Sequence, residues 1–288
     1  MNSVSAGRAS WSGSARTTVA LTGASGYVGS NLASRFERDG WNVVPLKFRL
    51  GSEVKPDELR NVDALVHCAY DFRPVTWADI HRINVDGSRH LLEAAYGAGV
   101  GRIVVLSTIS AFPGSRSLYG KAKLEIEAAA ERAGAAVIRP GLVFVDSGAS
   151  AGGMFGSLLQ SARASVVPLL DGGKHCQYLI HVDDLYALVR GLVAGDLPWP
   201  KQPVIAASPR CWPMRELVDL LARRQGRRPR LVSVPWQAVW LGLRAAELAR
   251  LRLGYRSDSV VSLVNQDPHP DFSALRELGV TARELTAG

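Results

Sequence analysis

A chain of 288 residues, 47% of them hydrophobic, buries one large core or a core with a smaller appendage, as a globular protein does. Its three cysteines, Cys68, Cys176 and Cys211, are odd in number and form no C-x-x-C pair, so neither a disulfide framework nor a metal site is expected, and a reducing cytoplasmic setting fits best. The formal charge of +8 is modest and concentrated in Arg223, Arg224, Arg227, Arg228 and Arg230, which reads as a solvated helix end rather than a nucleic-acid patch, and no apolar run approaches the ~20 residues needed to span a bilayer.

Residues 1–16, rich in Ser, Gly and Ala, read as a disordered leader. From Thr17 onward short β-branched runs alternate with helical stretches: "TTVAL", a helix from about Tyr27 to Asp39, then "WNVVPL". "DALVHCA", "RIVVLS" and "AAVIRP" follow as near-continuous apolar runs, the pattern of parallel strands buried on both faces. Helices over His81–Gly97 and Tyr119–Ala133 fall between them, which predicts an α/β fold with a Rossmann-type doubly wound parallel sheet. The stretch from Asp146 to Gly156 reads as a loop beside a site, and Met214–Arg224 and Trp236–Leu253 read as a small, mostly helical C-terminal cap. The expected division is a dinucleotide-binding domain over 17–165, with 176–195 returning to it, and a substrate cap from 166–175 and 196–288.

"TGASGYVGS" sits between the first strand and the first helix. There, Gly23, Ser25, Gly26, Tyr27, Val28 and Gly29 offer free backbone N–H groups and the positive end of a helix dipole to a phosphate. At the end of the second strand, where an acid would bind a ribose 2′-OH, the chain has Lys47 followed by Arg49; positive charge there favours a 2′-phosphate, hence NADP over NAD. "YGKAK" puts Tyr119 and Lys123 on one helical face, where an ammonium is expected to lower the phenol pKa. Ser107, Thr108 and Ser110 end the preceding strand at the carboxyl edge of the sheet. A hydroxyl, a phenol and an amine beside a dinucleotide form a device for exchanging hydride with a carbon bearing oxygen.

With "VDALVHCAY", "INVDGSRHLLEAA", "VIRPGLVF", "YLIHVDDL" and "DFSALRELGV" added in order, the chain resembles the extended short-chain dehydrogenases/reductases of the nucleotide-sugar epimerase/dehydratase kind. The resemblance implies that Thr108 takes the Ser/Thr place, Tyr119 is the acid/base and Lys123 binds the nicotinamide ribose. It also implies that Cys68, Ala69, Tyr70, Asn84 and Ser107 flank the cofactor, with Asn84 as a brace, and that Pro140, Gly141 and Val143 lie near the nicotinamide. His67 belongs to the strand turn on the adenine side, and Asp183 and Asp184 tie the cap to the core. A homodimer is expected from such relatives.

The substrate side is expected to include Asp71, Phe72, Thr108, Ile109, Ser110, Phe144, Met154 and Gln177. Gln177 stands where sugar-nucleotide relatives offer an arginine, and Ile109 and Ser110 replace the Asp-Glu pair that a dehydratase needs. The first reading is a sugar-nucleotide epimerase or 4-ketoreductase. An NADPH-dependent reductase of an apolar ketone, aldehyde or steroid-like compound is the alternative, favoured by Tyr70, Phe72, Trp77, Phe144, Met154, Phe155 and Leu158. A catalytically silent dinucleotide-binding redox sensor is a third reading, opposed by the intact Tyr-Lys pair. The helix around Trp236, Trp240 and Leu243 reads as cap core, with a dimer or membrane-surface contact as alternatives.

Overall fold

The computed structural model describes residues 17–47, 49–52, 54, 56–146, 151–249, 251 and 255–286; the expected leader and residues 147–150 of the Gly/Ser loop lie outside this set. Six parallel strands make the central sheet. They are β1 (Thr18–Thr22), β2 (Asn42–Pro45), β3 (Ala64–His67), β4 (Arg102–Leu106), β5 (Ala136–Pro140) and β10 (Val204–Ala206), in the spatial order β2-β1-β3-β4-β5-β10. β3 and β4 are buried at nearly every position, which explains their unbroken apolar sequences. β10 stands inside the range expected for the cap; three residues are too few to show a period, and its place is set by pairing Val204 with Ile138 of β5.

Helices cover both faces. Leu32 and Phe36 of α1 (Tyr27–Arg38) pack with Leu185, Tyr186 and Val189 of α6 (Val182–Ala194) on one side. Leu91 and Leu92 of α3 (Asp86–Gly97) pack with Ala122, Ile126 and Ala130 of α4 (Leu118–Arg132) on the other. Each fully buried Leu or Phe contributes about 1.5–3 kcal/mol relative to exposure, so the two apolar stripes fix which helix lies on which face. α1 and α6 are also locked by Arg35 donating to Asp183 at 2.7 Å and Tyr186 donating to Asp39 at 2.7 Å. Asp184 accepts from Arg283 at 2.8 Å, which ties down the C-terminal segment.

The chain enters α3 through a short helix α2 (Trp77–Ile80) and a π-helical turn at His81–Val85, where a single helix from His81 was expected. A cap lies beyond the carboxyl edge of the sheet. Strands β6 (Leu142–Phe144) and β9 (Leu179–His181) pair in parallel, as do β7 (Val166–Leu170) and β12 (Arg230–Val234). Helices α5 (Gly153–Ser161) and α7 (Met214–Arg224) share a core of Phe144, Phe155, Leu217 and Leu221 with them, so α5 joins the cap although the sequence placed it in the first domain. The helix expected over Trp236–Leu253 is α8, Trp236–Leu248, followed by α9 (Ser257–Val264) and, packed on the sheet, α10 (Ser273–Glu277).

The cysteine reading is corrected. β8 (Cys176–Gln177) and β11 (Trp212–Pro213) run antiparallel, and Cys176 and Cys211 form a disulfide across them with their Cα atoms 5.3 Å apart, leaving Cys68 as the free thiol. An odd count constrains parity but not proximity, and the strand pairing brings together cysteines that lie 35 apart in sequence.

Candidate active site

The sheet order changes direction between β1 and β3, because the chain leaves β1 for β2 on one side and returns to β3 on the other; ligands of open α/β sheets bind outside the strand ends at such a point. A cleft of about 1840 Å³ opens there, between the sheet edge and the cap. One wall is the loop from Gly23 to Gly26. Gly23 has φ +69°, and a Cβ on it would meet the Ala69 backbone nitrogen at 2.8 Å, so this position takes only glycine. A Cβ on Gly29 would strike the Gly23 carbonyl, which is why the helix can start so close to the strand. The first turn of α1 has no side-chain cap and no acidic residue, leaving its N–H groups to an anion. A dinucleotide diphosphate fits this cradle.

Thr22 anchors the loop from below. Its Oγ1 accepts from the N–H groups of Cys68 at 3.1 Å and Ala69 at 3.2 Å, so its own proton goes to His67 Nδ1, 2.7 Å away. His67 then carries its proton on Nε2 and donates to Ser88 at 2.9 Å. Burial, reinforced by the Lys123 charge, pushes the imidazole pKa down to about 3, so His67 is a neutral cross-link of β1, β3 and α3. Asn84 does not reach the cleft. Presented by the π-helical turn, it donates to the Asp71 carbonyl at 3.0 Å and accepts the Asp71 N–H at 2.6 Å, so it braces the loop that carries Tyr70 and Phe72.

At the other side of the switch point, Thr108 and Tyr119 meet. Burial pushes the Tyr119 pKa up to about 12, against the lowering influence of the neighbouring Thr108 hydroxyl. The direction is opposite to the sequence expectation, because Lys123 turns away: its Nζ donates to the Leu106 carbonyl at 2.7 Å and sits 5.2 Å from the Tyr70 ring centre. Burial brings the Lys123 pKa down to about 8, and the neighbouring Cys68 and Glu127 hold it from falling further. Tyr70 meets Tyr119 edge-on at 4.9 Å and Phe72 lies 5.5 Å from it, so the phenol sits under an aromatic cover.

Three supports of this site carry no motif. Glu127, one turn beyond Lys123, is buried, accepts the Ser107 hydroxyl proton and takes the Arg139 Nε at 2.9 Å. Asp258 of α9 accepts the N–H groups of Leu118 at 2.7 Å and Tyr119 at 2.9 Å, capping α4 from 140 residues away alongside the Ser117 N-cap. Arg256 donates to the carbonyls of Phe72, Arg73 and Pro74, holding the Tyr70–Phe72 loop against the cap. Contacts so distant in sequence leave no periodic or local signal.

Of the residues expected at the substrate, Asp71, Phe72, Ile109, Ser110, Met154 and Gln177 line the cleft with Thr108. Asp71 is held by Arg73, Ser110 accepts from Ser262 at 3.0 Å, and Gln177 is buried with its amide nitrogen on the Cys176 carbonyl at 2.5 Å. Phe144 is the exception: it points into the cap core, 5.9 Å from Phe155 and 5.0 Å from His181, because β6 alternates its side chains between the two cores. On the cofactor side Ser25, Tyr27, Val28, Lys47, Arg49, Pro140, Gly141 and Val143 all line the cleft, with Lys47 and Arg49 exposed just past the end of β2.

The model of the NAD dependent epimerase/dehydratase family matches residues 19–190. The chain belongs to that family. It is an NAD(P)-dependent enzyme with the Rossmann-type sheet of the family. Among curated relatives, a ceramide reductase of Caulobacter vibrioides is 28% identical over 246 residues, covering 77% of this chain and 74% of that one. Among solved structures, MoeE5 in complex with UDP-glucuronic acid and NAD is similar with a TM-score of 0.68 at 20% identity, over 93% of this chain and 94% of that one. UDP-glucose 4-epimerase of Thermotoga maritima is similar with a TM-score of 0.68 at 17% identity, again over 93% and 94%. These two likenesses establish the shared fold.

Proposed function

We propose that this family member is an NADPH-dependent reductase of a ketone carried by a substrate with an apolar body. The observation that carries the reading is the Thr108–Tyr119 pair opening onto a substrate half walled by Tyr70, Phe72, Trp77, Met154 and Trp240. Three arginines at the cleft are paired, Arg73 with Asp71, and Arg244 and Arg256 with Glu247, while neutral Gln177 stands where an arginine was expected. Arg116 remains as an exposed rim cation, suited to a polar end of the substrate. The ceramide reductase relative, whose name couples reduction to a lipid, supports the same class.

When bound, the cofactor supplies a hydride to the carbonyl carbon. Thr108 and Tyr119 hold the carbonyl oxygen between two hydroxyls, and Tyr119 gives that oxygen its proton as the C=O π bond breaks, leaving a carbinol. Burial keeps the phenol protonated, the form that can hand a proton to the carbonyl oxygen. Lys123, buried with its Nζ on the Leu106 carbonyl and facing the Tyr70 ring, keeps a positive charge behind the aromatic wall of the site. Lys47 and Arg49 give the 2′-phosphate end its countercharge and support NADPH over NADH.

The test is Tyr119→Phe, assayed with a detergent-dispersed long-chain ketone and with a nucleotide 4-ketosugar. Turnover of the ketone by the natural protein, lowered roughly 10²–10⁴-fold by the substitution with NADPH affinity within about twofold, is expected. Undiminished turnover by the variant overturns the acid assignment. Turnover of the ketosugar alone overturns the substrate class.

A further inference from the structure

Helix α8 is long and apolar, and only half-buried. In its 13 residues it carries Trp236, Val239, Trp240, Leu241, Leu243 and Leu248, yet it has no buried residue, whereas the 11-residue α7 buries Met214, Leu217, Val218, Leu221 and Ala222. Its stripe of Trp236, Val239, Trp240 and Leu243 is half-buried beside α9, while Leu241 and Leu248 lie open to water and forfeit the stabilisation that burial would bring. The cap-core expectation holds for one face only: Trp236, Trp240 and Leu243 are half-buried beside α9, and the opposite face is open.

The exposed surface continues beyond the helix. Leu241 is 63%, Leu248 73%, Leu251 61% and Tyr255 58% exposed, and Phe72, on the loop that Arg256 pins to the cap, is 64% exposed. Phe72, Val75, Trp240 and Leu248 also line the cleft, so the apolar surface forms the rim of its mouth. Between Trp236 and Arg256 the sequence has Arg244, Arg250, Arg252 and Arg256 against the single acid Glu247, which Arg244 and Arg256 share, so the stretch keeps a net positive charge. Contiguous exposed apolar side chains, aromatic rings and a surplus of arginine match the headgroup layer of an anionic bilayer, where Trp and Tyr rings settle and each cation is attracted by the surface potential. Two copies meeting through this stretch would set one net positive segment against another.

We infer that α8 and the Phe72–Trp77 loop dock the protein on the surface of an anionic bilayer, with the cleft mouth toward the lipid, so that a lipid-embedded ketone enters without crossing water. The purpose of the docking rests on the proposed apolar substrate; the docking itself does not. It is tested by flotation of the full chain with phosphatidylcholine vesicles, with and without phosphatidylglycerol. The protein should float with the phosphatidylglycerol vesicles, less so at high salt. A Leu241→Asp, Leu251→Asp double variant should lose about tenfold in binding while its NADPH affinity and Tm stay unchanged. The inference is overturned if the natural protein ignores anionic vesicles, if the double variant binds them equally, or if the double substitution instead splits a solution dimer. Docking without turnover of a dispersed ketone would refute the substrate class and leave the surface standing; turnover without docking would do the reverse.

Discussion

Replacing Glu127 with glutamine removes one buried charge from α4 and leaves a nearly isosteric amide. The side chains of Glu127 and Arg139 are 7% and 18% exposed, so the variant strands a guanidinium with little access to water. Breaking a buried pair from one side costs about 3–5 kcal/mol; because the amide still accepts one hydrogen bond and Arg139 reaches solvent at its edge, about 2–4 kcal/mol is expected here. At roughly 2–4 °C per kcal/mol for a chain of this size, Tm should fall by about 5–15 °C. Urea unfolding of the natural chain, Glu127→Gln, Arg139→Met and the double variant completes a thermodynamic cycle, and the double variant should recover most of the loss. The same substitution reports on the site. Glu127 helps to keep the Lys123 pKa from falling below about 8, so its removal should move the alkaline limb of the kcat/KM profile to lower pH. A cost below about 1 kcal/mol, or a double variant as unstable as the sum of the singles, would refute the buried-pair account.

His67 holds its folded pKa near 3 against an ordinary 6.5, so between those values the unfolded chain binds a proton that the folded chain refuses. Its contribution therefore leaves stability intact above pH 6.5 and erodes it as pH falls, at up to about 1.4 kcal/mol per pH unit. His67→Gln should flatten the Tm curve between pH 6.5 and 4 relative to the natural chain, and parallel curves would refute the assignment. Lys47→Asp should weaken NADPH binding about tenfold while leaving NADH binding nearly unchanged in titrations of intrinsic fluorescence; equal losses would remove the charge argument for the 2′-phosphate. Asp258→Ala uncaps α4 at Leu118 and Tyr119 and should cost about 1–2 kcal/mol, with kcat reduced more than NADPH affinity; an unchanged kcat would show that the cap does not set the Tyr119 position.

The parallel sheet, the phosphate cradle and the Tyr-Lys pair were legible in the chain because each depends on local physics. Buried parallel strands must be apolar throughout, a tight turn at positive φ must be Gly23, and residues four apart on a helix must share a face. Sequence also placed Lys47 just past the end of β2, since one short strand leaves little freedom of register. What it could not fix were contacts made across the fold. The pairing of Cys176 with Cys211, the entry of Val204–Ala206 into the central sheet, and the inward turn of Phe144 all follow from how strands pair, which no local window records. Even the direction of the Tyr119 pKa lay beyond it. Spacing put an ammonium nearby, but tertiary structure sent Lys123 to the Leu106 carbonyl and closed Tyr70 and Phe72 over the phenol, so desolvation sets the direction.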